Sequence, residues 1–118
     1  MPIQAVLDAF SGIPNPNWEL TDSEMQEIHI LLKHIKLAPY QEPMPSNLGY
    51  RGIIIKGIKD IAKIVVMHES VWIQKEDDIK LFKDPRGQIE FHLLKSTQNR
   101  ISLSQYIDII NKIRKKEI

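Results

Sequence analysis

The sequence predicts an α+β domain: a small, mainly antiparallel sheet of about three or four strands, packed on one face by about three helices in the order β-α-β-β-α-α. Its 118 residues, 42% hydrophobic and 26% charged, suit a single globular domain spanning residues 1–118. Apolar residues alternate at period two after Ile3 and form a β-branched run at Ile53, whereas they recur at three- and four-residue steps after Met25 and Tyr106. Strands and helices are therefore both expected.

The first elements are a strand, a loop and a helix. Residues 3–10 alternate as a half-buried strand, and residues 11–18 contain two prolines, which exclude a helix or a sheet ladder there. Thr21 and Glu24 have the spacing of a capping box, so a helix should begin at this point and end just before Pro39. Its apolar stripe consists of Met25, Ile28, Leu31, Leu32 and Ile35.

The middle of the chain predicts a long loop followed by strands. Residues 39–52 contain three prolines and two glycines and read as an ordered loop or surface strap. Residues 53–55 are three isoleucines, which favour a short strand buried on both faces. Residues 61–74 are β-branched and aromatic, and their alternation slips near Glu69 and Ser70, which indicates a bulge or a tight hairpin.

Two interpretations fit residues 79–98. Asp84 and Pro85 either form a turn between two strands or cap and open a helix that runs to about Thr97. We favour the helix, because Gly87 is the one helix breaker after Pro85 in this stretch. A final helix should begin at Ser102, with its apolar residues facing inward and a basic C-terminal end.

Composition excludes several classes of protein. The absence of cysteine excludes disulfides, thiolate metal sites and cysteine nucleophiles. No apolar run is long enough to span a membrane, and the first residues lack the basic region of a signal peptide, so the expected location is the cytoplasm. A net charge of +1 argues against nucleic-acid binding, and the basic residues at 112–116 are better explained as helix-end cations.

Motifs for catalysis, cofactors and metals are absent. The sequence has no nucleophile elbow, phosphate-binding loop, dinucleotide fingerprint or zinc-protease helix, so an enzyme is not the favoured interpretation and no cofactor is expected. His29 and His34 would lie about 140° apart around a helix, too far to share a metal ion. The acidic run at 76–78 is best explained as a solvated turn, and His68 and His92 as surface or hydrogen-bonded residues.

Two proline- or glycine-bounded segments are the candidate recognition surface. The segment at 11–18 and the one at 48–52 have restricted or close-packing backbones and carry amide, aromatic and guanidinium groups. We therefore expect a non-catalytic binding or accessory protein with a protein partner, and a homodimer is a further option. The candidate binding residues are Ser11, Asn15, Asn17, Trp18, Tyr50 and Arg51.

Two alternatives stay open at this point. The first segment could be a structural crossover, with Trp18 packed as a lid on the core and the asparagines satisfying the backbone. The protein could also be a small enzyme or small-molecule binder whose pocket is lined by Asp8, Tyr50, Arg51 and His68. If both segments lie at the same end of the sheet, Asp8 is a candidate ion-pair partner for Arg51.

The same two segments carry a resemblance. The chain resembles a family of small uncharacterised bacterial proteins with an F-S-G-x-P-N-P-x-W motif and a downstream L-G-Y-R-G motif. Ile13 stands where a basic residue is more common in that pattern. The resemblance implies membership of a family and carries no activity, cofactor or partner with it.

Overall fold

A computed structural model describes residues 3–8, 16–45 and 51–97, and the fold is given for these ranges. Within them lie β1 (Gln4–Leu7), β2 (Asn17–Glu19), α1 (Asp22–Leu32), β3 (Lys36–Leu37), β4 (Ile53–Lys56), β5 (Lys63–Met67), β6 (Ser70–Lys75), β7 (Asp78–Lys83) and α2 (Gln88–Lys95). The strands form one seven-stranded sheet in the order β2-β1-β4-β5-β6-β7-β3, and every neighbouring pair is antiparallel.

The predicted fold class was wrong in the size of the sheet and in its balance with the helices. The described residues form seven strands and two helices, so the protein is mostly sheet rather than three or four strands under three helices. The missed strands include β2 and β3, of three and two residues, which are too short to show a period-two pattern. The predicted helix from Ser102 lies outside the described residues.

One face of the sheet carries the main core beneath the two helices. Side chains that face each other across neighbouring strands form a continuous row, Leu7, Ile53, Val66 and Val71, and all four are fully buried. Ile28 of α1 and the apolar residues of α2 complete this cluster. Burial of each of these large aliphatic side chains stabilises the fold by about 1.5–3 kcal/mol, which outweighs helix propensity as the reason that α1 and α2 form here.

The opposite face carries a second, smaller core. Val65, Trp72 and Leu81 lie in one row across β5, β6 and β7, and Ala38 packs on them. The segment at 38–45 crosses this face as a strap, which confirms the strap interpretation for that part of the predicted loop. Both faces of the sheet are therefore covered, whereas the sequence analysis placed cover on one face alone.

The strap is held by side chains as well as by its backbone. The Gln41 amide donates to the Leu81 carbonyl at 3.1 Å and accepts from the Leu81 N–H at 2.8 Å. The Trp72 indole N–H donates to the Glu42 carbonyl at 2.9 Å. Gln41 thus imitates one residue of a neighbouring strand at the edge of the sheet, where β3 is too short to cover β7.

The boundaries of α1 confirm one expectation and correct another. The capping box is present, with Glu24 N–H donating to the Thr21 hydroxyl at 3.1 Å and Thr21 N–H donating to the Glu24 carboxylate at 2.9 Å. The helix ends at Leu32, however, and not just before Pro39. The following residues leave the helix because Lys36 and Leu37 pair with the end of β7.

The second half of the chain resolves both open alternatives. The slip near Glu69 is a tight hairpin, with β5 and β6 joined by a turn at His68 and Glu69. The segment after Asp84 contains a helix, as favoured, but α2 begins only at Gln88 after a turn. In the described part of the chain, no helix is long and apolar enough to cross a membrane.

Candidate functional site

The two candidate recognition segments leave the sheet from the same end. The register places the end of β1 beside the starts of β2 and β4, and the β5–β6 turn and the end of β7 continue this edge. We call this edge the loop end and define it by Asp8, Pro16, Arg51, His68 and Asp84. The described residues that adjoin the two segments therefore lie at one end of the sheet, and residues 9–15 and 46–50 lie outside the described ranges.

Asp8 and Arg51 connect the bases of the two segments. Arg51 donates from Nε and Nη2 to Oδ1 of Asp8, at 3.0 and 2.7 Å, and its backbone N–H donates to the Asp8 carbonyl at 2.7 Å. This confirms the predicted ion pair. The hydrogen bond and the negative charge of Asp8 raise the pKa of the Arg51 guanidinium further above its usual range, so Arg51 is charged at every working pH.

Backbone bonds fix the same two bases. The Asp8 N–H donates to the Gly52 carbonyl, and the Leu7 N–H donates to the Pro16 carbonyl, each at 2.9 Å. Pro16 belongs to the first segment and Gly52 is the last residue of the second, so each segment contains a residue that is bonded to β1 or to the residue that follows it. Asp8, Pro16 and Gly52 are therefore held in place before any ligand binds.

Gly52 makes a close approach that a side chain would prevent. Its φ of +103° lies in the region that favours glycine, and a Cβ added there would lie 2.5 Å from the Val66 carbonyl oxygen. The second glycine of the L-G-Y-R-G segment is thus needed for β4 to start beside β5. This confirms the close backbone approach that the sequence analysis expected of this segment.

Among the described candidate binding residues, Trp18 is buried, Arg51 is largely buried and Asn17 is exposed. Trp18 is only 5% exposed within the main core, and its indole N–H donates to the Ser96 hydroxyl at 2.8 Å. This is the packing role left open for Trp18 as the alternative to ligand contact. Asn17 is exposed at the start of β2, and Arg51 is about four-fifths buried. Ser11, Asn15 and Tyr50 lie outside the described residues.

His68 lies at the loop end, beside a buried carboxylate that sequence reasoning missed. The His68 backbone N–H donates to Oε2 of Glu90 at 2.7 Å, and its Nδ1 lies 3.8 Å from Oε1. Glu90 is only 6% exposed although it belongs to a short surface helix. Glu90 lies three residues after the N-cap residue Gly87, which is the position of the glutamate in a capping box. Here its carboxylate instead accepts a hydrogen bond from the β5–β6 turn. No sequence signal connects Glu90 with His68.

Asp84 caps α2 from outside the helix. Its Oδ2 accepts from the Ile89 N–H at 2.8 Å, and its own N–H donates to the Glu69 carbonyl at 2.8 Å. The carboxylate therefore occupies the position at the helix N-terminus where an anion would otherwise bind. This contact joins α2, β7 and the β5–β6 turn into one rigid corner.

The remaining polar candidates form no ligand site among the described residues. His29 and His34 are exposed, and His92 Nδ1 lies 3.2 Å from Oε2 of Glu27 across the two helices. No group of three or more histidine, aspartate or glutamate side chains in the described ranges is arranged to hold a metal ion. The acidic run at 76–78 is an exposed hairpin turn between β6 and β7, in agreement with its interpretation as a solvated turn.

Comparison with known proteins finds no match to a family model, to a curated protein or to a solved structure. The resemblance carried by the two motif segments therefore stays an expectation.

Proposed function

We propose that this chain is a non-catalytic binding or accessory protein that recognises a protein partner in the cytoplasm with its loop end. The observation that carries the proposal is the contact between Asp8 and Arg51, because Asp8 precedes the first motif segment and Arg51 belongs to the second. Their ion pair supports treating the two segments as parts of one surface. Ser11, Asn15, Asn17 and Tyr50 supply its polar and aromatic groups.

The residues held in place beside the two segments favour a role for these segments in recognition over a role as plain connections between strands. Ordering interface side chains and loops costs free energy on binding, about 0.5–1.5 kcal/mol for each flexible side chain that is immobilised. The hydrogen bonds at Asp8, Pro16 and Gly52 already form when the chain folds, so part of this ordering cost no longer arises on binding. In this proposal Trp18 supports the surface from beneath, since its ring is buried and bonded to Ser96.

A pocket for a small molecule, lined by Asp8, Tyr50, Arg51 and His68, is the second candidate. One observation favours it: Asp8, Arg51 and His68 share the loop end, where His68 lies about two strand spacings, roughly 10 Å, from the ion pair. The charge of Arg51 counts against this pocket, since Arg51 directs two donors to the Asp8 carboxylate, which offsets the positive charge that would attract an anion. Binding of a small anion at this site would increase thermal stability in the wild type and not in Arg51→Ala.

Site-specific photo-crosslinking tests the protein-binding proposal. A benzophenone side chain is placed at Asn17 on the loop end or, as a matched control, at Glu76 in the exposed turn at the opposite end of the sheet. In native lysate we expect a saturable adduct of defined mass from position 17, suppressed by excess unlabelled wild type and not by excess Arg51→Ala. Equal adducts from both positions, or none from position 17, would reject the loop end as the recognition surface.

A further inference from the structure

A groove beside α1 forms a second exposed surface, distinct from the loop end. It has a volume of about 610 Å³ and lies between α1 and the residues that flank β1 and β4 at the opposite end of the sheet. Its lining is largely apolar, with a polar row on the helix: Ile3, Asp22, Met25, Gln26, His29, Ile30 and Ile58. Ile30 is 55% exposed at this groove and adds apolar surface to its lining.

The polar row on α1 is complementary to itself when reversed. Asp22, Gln26, His29 and Lys33 follow steps of four, three and four residues, so they lie along one side of the helix. If a second copy of α1 runs antiparallel, Asp22 faces Lys33 of the second copy while Gln26 faces its His29. Opposite charges and hydrogen-bonding groups then meet twice, once on each side of a two-fold axis.

We propose that two copies of this chain associate through an antiparallel pairing of their α1 helices in this groove. Charge complementarity selects this occupant, because the acidic first turn of α1 lies opposite the basic last turn of the partner, and the reversed order also aligns the two helix dipoles favourably. Met25 and Ile30 flank the polar row on its two sides, so both copies bury them in the contact. A partner helix running parallel would instead place like charges together.

Charge reversal tests the register as well as the association. Sedimentation or light scattering should show the wild-type mass rising from 13.7 kDa towards twice that value as the concentration approaches about 1 mM. Asp22→Lys or Lys33→Asp alone should weaken self-association by about tenfold, since each turns two attractive contacts into repulsive ones. The double variant Asp22→Lys/Lys33→Asp should restore it to within about threefold.

Two controls separate this result from a loss of folding. The matched swap Asp78→Lys/Lys80→Asp exchanges an exposed pair, 3.8 Å apart on β7, and should leave association unchanged. Reversal of both charges on α1 opposes its helix dipole and lowers the melting temperature more than either single change. Restored association in this less stable double variant therefore cannot result from a recovery of folding stability. Ile30→Asp, at an exposed position, should abolish association while the circular dichroism spectrum is kept.

The opposite results would overturn the proposal. A wild-type chain that stays at 13.7 kDa at about 1 mM shows that α1 does not pair with a second copy. A dimer that both single reversals leave unchanged, or that the double reversal fails to restore, shows that the contact lies elsewhere or in another register. Any of these outcomes leaves the loop-end proposal standing, because the crosslinking sites at Asn17 and Glu76 are not on α1.

Discussion

At the scale of single residues, Trp18 shows why side-chain chemistry in a motif does not reveal its use. A tryptophan in a proline-rich segment fits a recognition loop and a core lid equally well, since both use a large ring with one polar atom. The answer depends on Ser96, which lies 78 positions away and accepts the indole N–H. A contact at that separation leaves no periodic signal in the sequence, so the choice needed the structure.

Arg51 illustrates the opposite case. Its pairing with Asp8 was predictable once the two segments were placed at one end of the sheet, because a guanidinium fork and a carboxylate are complementary in shape and charge. The geometry confirms it, with two donors of Arg51 on one oxygen of Asp8. Local residue chemistry was sufficient here because Asp8 follows β1 and Arg51 precedes β4, and these two strands are direct neighbours in the sheet.

Gly52 supports a quantitative prediction at the residue scale. Gly52→Ala should lower the free energy of unfolding by at least about 2 kcal/mol, because it adds strain at positive φ to a clash with the Val66 carbonyl. The matched control is Gly87→Ala, whose φ is +60° but whose added Cβ would lie 3.3 Å from the His68 carbonyl oxygen. We expect a loss of only about 1 kcal/mol there. Urea denaturation measures both, and equal losses would contradict the steric explanation for Gly52.

At the scale of elements, long segments with clear patterns were predictable and short edge segments were not. The strand at 53–55 and the capping box of α1 were found because a β-branched run and a Thr-x-x-Glu spacing are local signals. The apolar stripe of α1 extends to Ile35, yet the helix ends at Leu32. Pairing of Lys36 and Leu37 with β7 is a tertiary interaction that overrides the local helical pattern.

The strap at 38–45 carries the prediction at the element scale. Gln41→Ala should lower the free energy of unfolding by about 1–2 kcal/mol, because the Leu81 N–H loses its acceptor at a partly buried edge. Tyr40→Ala is the matched control: its ring is 78% exposed, and the change should stay within about 0.5 kcal/mol.

Hydrogen exchange separates a local effect of this change from a global one. The Leu81 amide should exchange faster in Gln41→Ala than in Tyr40→Ala, since the side-chain amide of Gln41 is its acceptor. An unchanged exchange rate at Leu81, together with unchanged stability, would show that the strap does not depend on Gln41.

At the scale of the whole molecule, the sequence predicted a strand that is buried on both faces but not the core that covers its second face. A row such as Ile53, Ile54 and Ile55 supplies apolar groups to both cores, so it lacks the alternation that marks a half-buried strand. The second core was also hidden, since its cover is a proline-rich strap without a regular pattern. We expected one covered face because only helices were considered as elements that could pack on the sheet.

This two-faced architecture predicts that both cores unfold together. Neighbouring residues of one strand, Val65 and Val66, belong to opposite cores, so separating the strands disrupts both cores at once. The two tryptophans report on the two faces independently, Trp18 from the main core and Trp72 from the second. In Trp72→Phe the fluorescence follows the helix face, and in Trp18→Phe it follows the strap face.

Within each of these variants, the urea midpoint from fluorescence should coincide with the midpoint from far-ultraviolet circular dichroism, as two-state unfolding requires. Each substitution lowers stability on its own account, so the comparison is made between two probes of one variant and not between variants. A Trp72 signal that changes at lower urea than the circular dichroism would show that the strap face separates first. The sheet would then be a single structural unit held by the helix-face core alone, and the strap an independent layer on it.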